Sequence, residues 1–169
     1  MFFKATIQGV AHDMVGAADK DGMYYAFDRA NLAQGPLWSS TIAKGGGCPE
    51  CGQGSVSTSA WNGNAILAGG GIITIKGNSC AGSLQAIDPA TGAFKWQDCF
   101  TNGAVMGPVI GVPGLAVVGE GTHLLIVSST TGQTLFNYTL NSRIWSPASI
   151  SNGVLYIGDL NGTFYAFGT

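Results

Sequence analysis

The sequence predicts an all-β fold, a propeller of about four four-stranded blades, on three observations. A five-residue phrase recurs four times at regular spacing. Each copy follows an apolar run that ends in glycine. Asp-Gly, Asn-Gly and Thr-Gly pairs bound these runs as hairpin turns do, and no 3.6-residue periodicity outlasts a turn or two.

The phrase reads Tyr24-Tyr-Ala-Phe-Asp28, Leu84-Gln-Ala-Ile-Asp88, Leu124-Leu-Ile-Val-Ser128 and Phe164-Tyr-Ala-Phe-Gly168. Its third positions fall at 26, 86, 126 and 166, so the steps are 60, 40 and 40 residues. The runs ahead of it are Met14-Val-Gly16, Ile66-Leu-Ala-Gly69, Ala116-Val-Val-Gly119 and Leu155-Tyr-Ile-Gly158. Behind it come the aromatics Trp38, Trp96 and Phe136. Turns at Asp21-Gly22, Thr91-Gly92, Thr131-Gly132 and Asn161-Gly162 leave about four short strands per unit, the make-up of a propeller blade. A β-helix needs a shorter period, and a sandwich does not repeat a phrase at fixed spacing. The expected blades are 1–44, 53–102, 103–141 and 142–169, with 45–52 an inserted cysteine-containing loop that lengthens the first step.

Composition narrows the class. Only 9% of residues are charged, against about a quarter in a typical domain, and 27 are glycine. The longest apolar stretches, 65–75 and 109–118, are broken by Gly or Pro and are shorter than the roughly 20 residues of a membrane span. A net charge of −2 with seven scattered cations offers no footprint for nucleic acid or an anionic membrane. Four cysteines, Cys48, Cys51, Cys80 and Cys99, make an even set that points to an oxidising, extracytoplasmic compartment, secreted or periplasmic. The sequons Asn137-Tyr-Thr139 and Asn161-Gly-Thr163 fit secretion. Met1-Phe-Phe-Lys4 does not open a leader, so any leader is expected to have been removed.

Ala86-Ile-Asp-Pro-Ala-Thr-Gly-Ala-Phe-Lys-Trp96 resembles the tryptophan-docking repeat of pyrroloquinoline-quinone (PQQ) propellers, Ala-X-Asp-X-X-Thr-Gly-X-X-X-Trp, at every fixed position. Tyr24–Trp38 is a looser copy, and Leu124–Phe136 looser still, with Ser128 for Asp and Phe136 for Trp. The resemblance implies that Trp38, Trp96 and Phe136 are structural, each docking on the next blade. It also implies a ring of eight blades. About four such units would make half a ring, completed by the remainder of a longer propeller or by a second copy as a homodimer. The same repeats serve quinoprotein dehydrogenases, with PQQ and calcium, and non-catalytic scaffolds such as the outer-membrane assembly lipoprotein.

Candidate site residues follow from their places in the repeat. Trp145 and Arg143 lie in Asn141-Ser-Arg-Ile-Trp-Ser-Pro147, ahead of the innermost strand of the last blade, where side chains face the channel mouth. An indole stacks on a flat ligand and a guanidinium grips a carboxylate bidentately, which suits PQQ, a flat tricarboxylate. Blade packing and a solvated arginine are the plainer reading. Trp61 is a second cofactor-facing candidate. Cys48-Pro-Glu-Cys51 is read first as a disulfide pinning the inserted loop, and second as a redox or cofactor-facing pair at the channel mouth. A thioredoxin-like role lacks its βαβ context, and a zinc site lacks paired spacing at Cys80 and Cys99. Those two cysteines are expected to staple neighbouring strands. Asp19-Lys-Asp-Gly22 and Asp159-Leu-Asn-Gly162 are hairpin turns rather than calcium loops, and His12 and His123 form no catalytic or metal constellation.

Two functional readings result. The first is a secreted binding or structural scaffold whose ligand is a small molecule, glycan or protein. The second is the C-terminal part of a PQQ- and calcium-dependent alcohol or sugar dehydrogenase, in which an aspartate takes the hydroxyl proton while PQQ accepts hydride. A calcium–PQQ centre needs several converging oxygens. Outside turns and repeat positions the acids are Asp13, Glu50 and Asp98, so no catalytic residue or metal ligand is assigned and the scaffold ranks first.

Overall fold

A computed structural model describes residues 1–168; Thr169, the end of the fourth expected blade, lies outside the described residues. The chain forms four antiparallel sheets in succession. The first holds β1 (Phe2–Ile7), β2 (Val10–Ala18), β3 (Met23–Asp28) and β4 (Trp38–Thr41), side by side in that order. The second holds β5 (Ala60–Trp61) and β6 (Ile66–Gly70). After β6 the chain makes a separate hairpin, β7 (Ile73–Ile75) and β8 (Asn78–Cys80), and then returns as β9 (Gly82–Ile87) and β10 (Phe94–Phe100). The third sheet holds β11 (Ile110–Val112), β12 (Leu115–Glu120), β13 (His123–Ser128) and β14 (Thr134–Thr139). The fourth holds β15 (Ser149–Ser151), β16 (Val154–Gly158) and β17 (Phe164–Phe167). The recurring phrase is the third strand of every sheet, and the glycine-ended run is the second.

The sixty-residue first step has two causes. One is the expected loop around Cys48 and Cys51. The other is the β7–β8 hairpin, whose short apolar pieces look in sequence like more of the sheet but pair only with each other. A disulfide between Cys80 and Cys99 ties this hairpin to β10.

Strand alternation gives each sheet two faces, and burial tells which are covered. The first residue of the phrase, Tyr24, Leu84 or Leu124, is 0% exposed in the first three sheets. Each of the three packs in a cluster shared with the following sheet: Tyr24 with Ile66 and Ile87, Leu84 with Ala116 and Leu125, Leu124 with Leu155 and Ile157. Each of the two fully buried leucines contributes about 1.5–3 kcal/mol. Phe164 holds the same place in the fourth sheet and is 71% exposed. Among the described residues three buried clusters join successive sheets, and none joins the fourth sheet to the first.

The first two junctions share one device. The Asp88 carboxylate accepts the N–H groups of Ala90 and Thr91 and the Thr91 hydroxyl, at 3.0, 3.2 and 3.1 Å, and so shapes the turn after β9. Gly92 sits there at φ +76°, and a Cβ on it would lie 2.6 Å from the Trp38 ring. The Trp38 indole N–H donates to the Pro89 carbonyl at 3.0 Å. At the second junction Trp96 covers Gly132 and donates to the Ser129 carbonyl at 3.2 Å. Phe136, without an N–H, meets Phe167 edge-on at 5.9 Å, and an apolar gap of about 690 Å³ beside it is lined by Val117, Leu124, Leu155 and Phe167.

Candidate functional site

Two connectors between sheets are built alike. Between β10 and β11, Val105 is buried against Gly69 and its N–H donates to the Gly70 carbonyl at 3.2 Å. One repeat later, between β14 and β15, Ile144 is buried against Gly119 and its N–H donates to the Gly121 carbonyl at 2.8 Å. A buried middle residue in extended chain turns both neighbours the other way. Those neighbours are Ala104 and Met106 in the first connector, Arg143 and Trp145 in the second. All four line one cleft of about 280 Å³.

The rest of the lining comes from the Cys48–Cys51 loop and from the residues that flank the β7–β8 hairpin, two segments that pack on each other. Lys44 N–H donates to the Ile72 carbonyl and Ile72 N–H to the Gly52 carbonyl, both at 2.6 Å, while Gly71 N–H reaches the Gly54 carbonyl at 3.2 Å. The Gln53 side-chain oxygen accepts the Cys48 N–H at 3.1 Å, and the Cys48–Cys51 disulfide closes the loop. Glu50, Cys51, Gly52, Ile72 and Ala81 thereby reach the cleft. Trp145 is 42% exposed, and its indole N–H makes no hydrogen bond among the described residues. The Arg143 guanidinium and the Glu50 carboxylate are likewise outside the ion pairs of the described residues.

The cleft therefore brings together Trp145, Arg143 and the Cys48–Cys51 loop. It does not include Trp61, which packs on Phe3 with ring centroids 5.8 Å apart and borders a separate hollow with Lys4, Asn64 and Pro89. Asp13 pairs with Lys4 at 2.8 Å on the surface, and His12 bonds Asp28 at 2.8 Å. His123 bonds the Asn137 side chain at 2.9 Å. Asp98 lies in a small polar hollow with Glu120, and burial holds its carboxyl above the ordinary range. Glu120 was not singled out from sequence; it is 3% exposed and accepts the Asn102 N–H at 2.7 Å, a structural bond that secures the loop after β10.

A family model described as outer membrane protein assembly factor BamB matches residues 80–169. The chain belongs to this family of PQQ-type propeller repeats. Solved structures agree on the fold. The computationally designed Ika4 protein is 16% identical with a TM-score of 0.67, over 92% of this chain and 84% of that one. BamB from Moraxella catarrhalis is 14% identical with a TM-score of 0.64, over 97% of this chain and 45% of that one. A quinohemoprotein alcohol dehydrogenase from Pseudomonas putida is 14% identical with a TM-score of 0.62, over 93% of this chain and 33% of that one. This chain thus spans less than half the length of BamB and a third of the dehydrogenase. No match is found among the curated proteins.

Membership of a PQQ-type family raises the question of PQQ and calcium, and the donor set of the cleft answers it for these residues. Calcium takes six to eight oxygens, usually with several carboxylates among them. The cleft holds one carboxylate, Glu50, with Asn102 as its one side-chain amide. Asp13 and Asp98 are placed elsewhere. The residues present do not fit a calcium–PQQ centre.

Proposed function

We propose that this chain is an extracytoplasmic scaffold module of a PQQ-type propeller, with the cleft of Trp145, Arg143 and the Cys48–Cys51 loop as its ligand-binding face. The observation that carries this reading is the coincidence of irregularities. The inserted loop supplies Glu50, Cys51 and Gly52, and the residues that flank the β7–β8 hairpin, Ile72 and Ala81, line the same cleft. Loops carried on a rigid repeat are where binding residues concentrate. The two disulfides support an oxidising compartment.

The exposed face of the fourth sheet supports completion of the propeller by further blades, supplied by a longer chain or by a second copy. Phe164 in the fourth sheet is 71% exposed at a position that the other three sheets bury, and an uncovered apolar face of this kind marks a docking surface. Phe2 in the first sheet is 68% exposed, beside the Lys4–Asp13 pair and under the Arg29 guanidinium. The experiment is to supply the purified protein with PQQ and calcium, assay dye-linked oxidation of alcohols and sugars, and record mass by light scattering. The scaffold reading expects no turnover; turnover that Trp145→Ala abolishes would replace it with the dehydrogenase reading. A doubled mass identifies a second copy as the completing partner, and a monomeric mass rules that partner out.

A further inference from the structure

The charges of the cleft define its ligand more narrowly, on the reading that the cleft is a binding site. Its lining contains one acid, Glu50, and one base, Arg143, so its formal charge is zero. They come from different segments, Glu50 from the disulfide-closed loop and Arg143 from the connector ahead of β15. Neither joins an ion pair within the described residues, so both retain their hydrogen-bonding capacity for a ligand. The same lining includes apolar and polarisable residues, namely Trp145, Met106 and Cys51. Thioether and indole both favour contact with an aromatic ring. A volume of about 280 Å³ is at the small end for ligand pockets. A polyanion would meet Glu50 as an uncompensated like charge, and a purely apolar ligand would leave two charges without partners.

We infer that the cleft takes a small zwitterion with a flat apolar body. Its carboxylate is held by Arg143, its ammonium by Glu50, and its ring lies against Trp145. An aromatic amino acid has this chemistry.

The test is calorimetric titration of the intact protein with L-phenylalanine, phenylpropionate and phenethylamine. The three share a ring and differ in which charges they carry. L-phenylalanine is expected to bind about tenfold or more tightly than either analogue, the loss that follows from one missing charge-assisted contact. Glu50→Gln is expected to erase its advantage over phenylpropionate, and Arg143→Gln its advantage over phenethylamine. Both side chains are exposed, so the thermal midpoint of each variant stays that of the parent. Phenylpropionate binding as tightly as L-phenylalanine would overturn the inference and leave the cleft a ligand site. So would silence from all three probes with PQQ still quenching Trp145 fluorescence. Silence from the probes and from PQQ alike would overturn the inference and the reading of the cleft together.

Discussion

The junction between the second and third sheets and the far side of the fourth are made from the same repeat and end in opposite states. At the junction, Leu84 of one sheet is fully buried against Ala116 and Leu125 of the next, and Trp96 closes over Gly132 with its indole N–H bonded. In the fourth sheet Phe164, at the position of Leu84, lies open to solvent. Gly158, at the position of Gly69 and Gly119, has nothing nearer than 3.8 Å to where a Cβ would stand. The strand pattern is the same, so it does not determine burial; the presence of a neighbour does. The apolar face is written into every unit, and its contribution is realised only where another sheet covers it.

The largest test of that contrast is at the docking aromatics. Trp96→Ala is expected to cost about 3 kcal/mol in urea denaturation, since it removes a packed ring and leaves the Ser129 carbonyl without its donor. Phe136→Ala, at a half-open position beside the apolar gap, is expected to cost about 1 kcal/mol. Equal losses would mean that the third junction is as closed as the second. The disulfides give the next largest difference. Replacing Cys80 and Cys99 with serine releases a crosslink between residues 19 apart in sequence and is expected to cost about 3 kcal/mol. The same change at Cys48 and Cys51, only 3 apart, is expected to cost less than about 2 kcal/mol.

Glycine substitution sharpens the comparison further. A Cβ on Gly119 would come within 2.5 Å of the Ile144 side chain, so Gly119→Ala is expected to lower stability by about 1–3 kcal/mol and to disturb Arg143 and Trp145 beside it. Gly158→Ala is expected to change stability by less than about 0.5 kcal/mol, and calorimetric melting of the two variants distinguishes them. The smallest effect is electrostatic. Burial raises the folded-state pKa of Asp98 above its ordinary 3.8. A carboxyl that holds its proton more firmly in the folded state favours folding as pH falls and opposes it above the folded pKa. Asp98→Asn is therefore expected to stabilise the protein at neutral pH, with the gain disappearing below pH 3.8; a gain that persists there would need another cause.

The internal repeat by itself determined the all-β class, the place of each third strand and the turns after it. These depend on neighbours two to ten residues away, as the hydrogen bonds of Asp88 to Ala90 and Thr91 illustrate. Trp145 and Arg143 could be singled out because their position relative to the phrase sets their place on the connector. Tertiary structure decided the rest. The β7–β8 hairpin was not separable from its sheet in sequence, because which strand pairs with which depends on contacts across the fold. Trp61 and Trp145 are both tryptophans near an innermost strand, yet one is packed on Phe3 and the other stands in a cleft. Only the buried pegs Val105 and Ile144, together with the meeting of two loops at Ile72 and Gly52, bring Glu50 and Arg143 to one opening. Local sequence encodes strands and turns because their causes are local; a site assembled from separate connectors exists only once the sheets have packed.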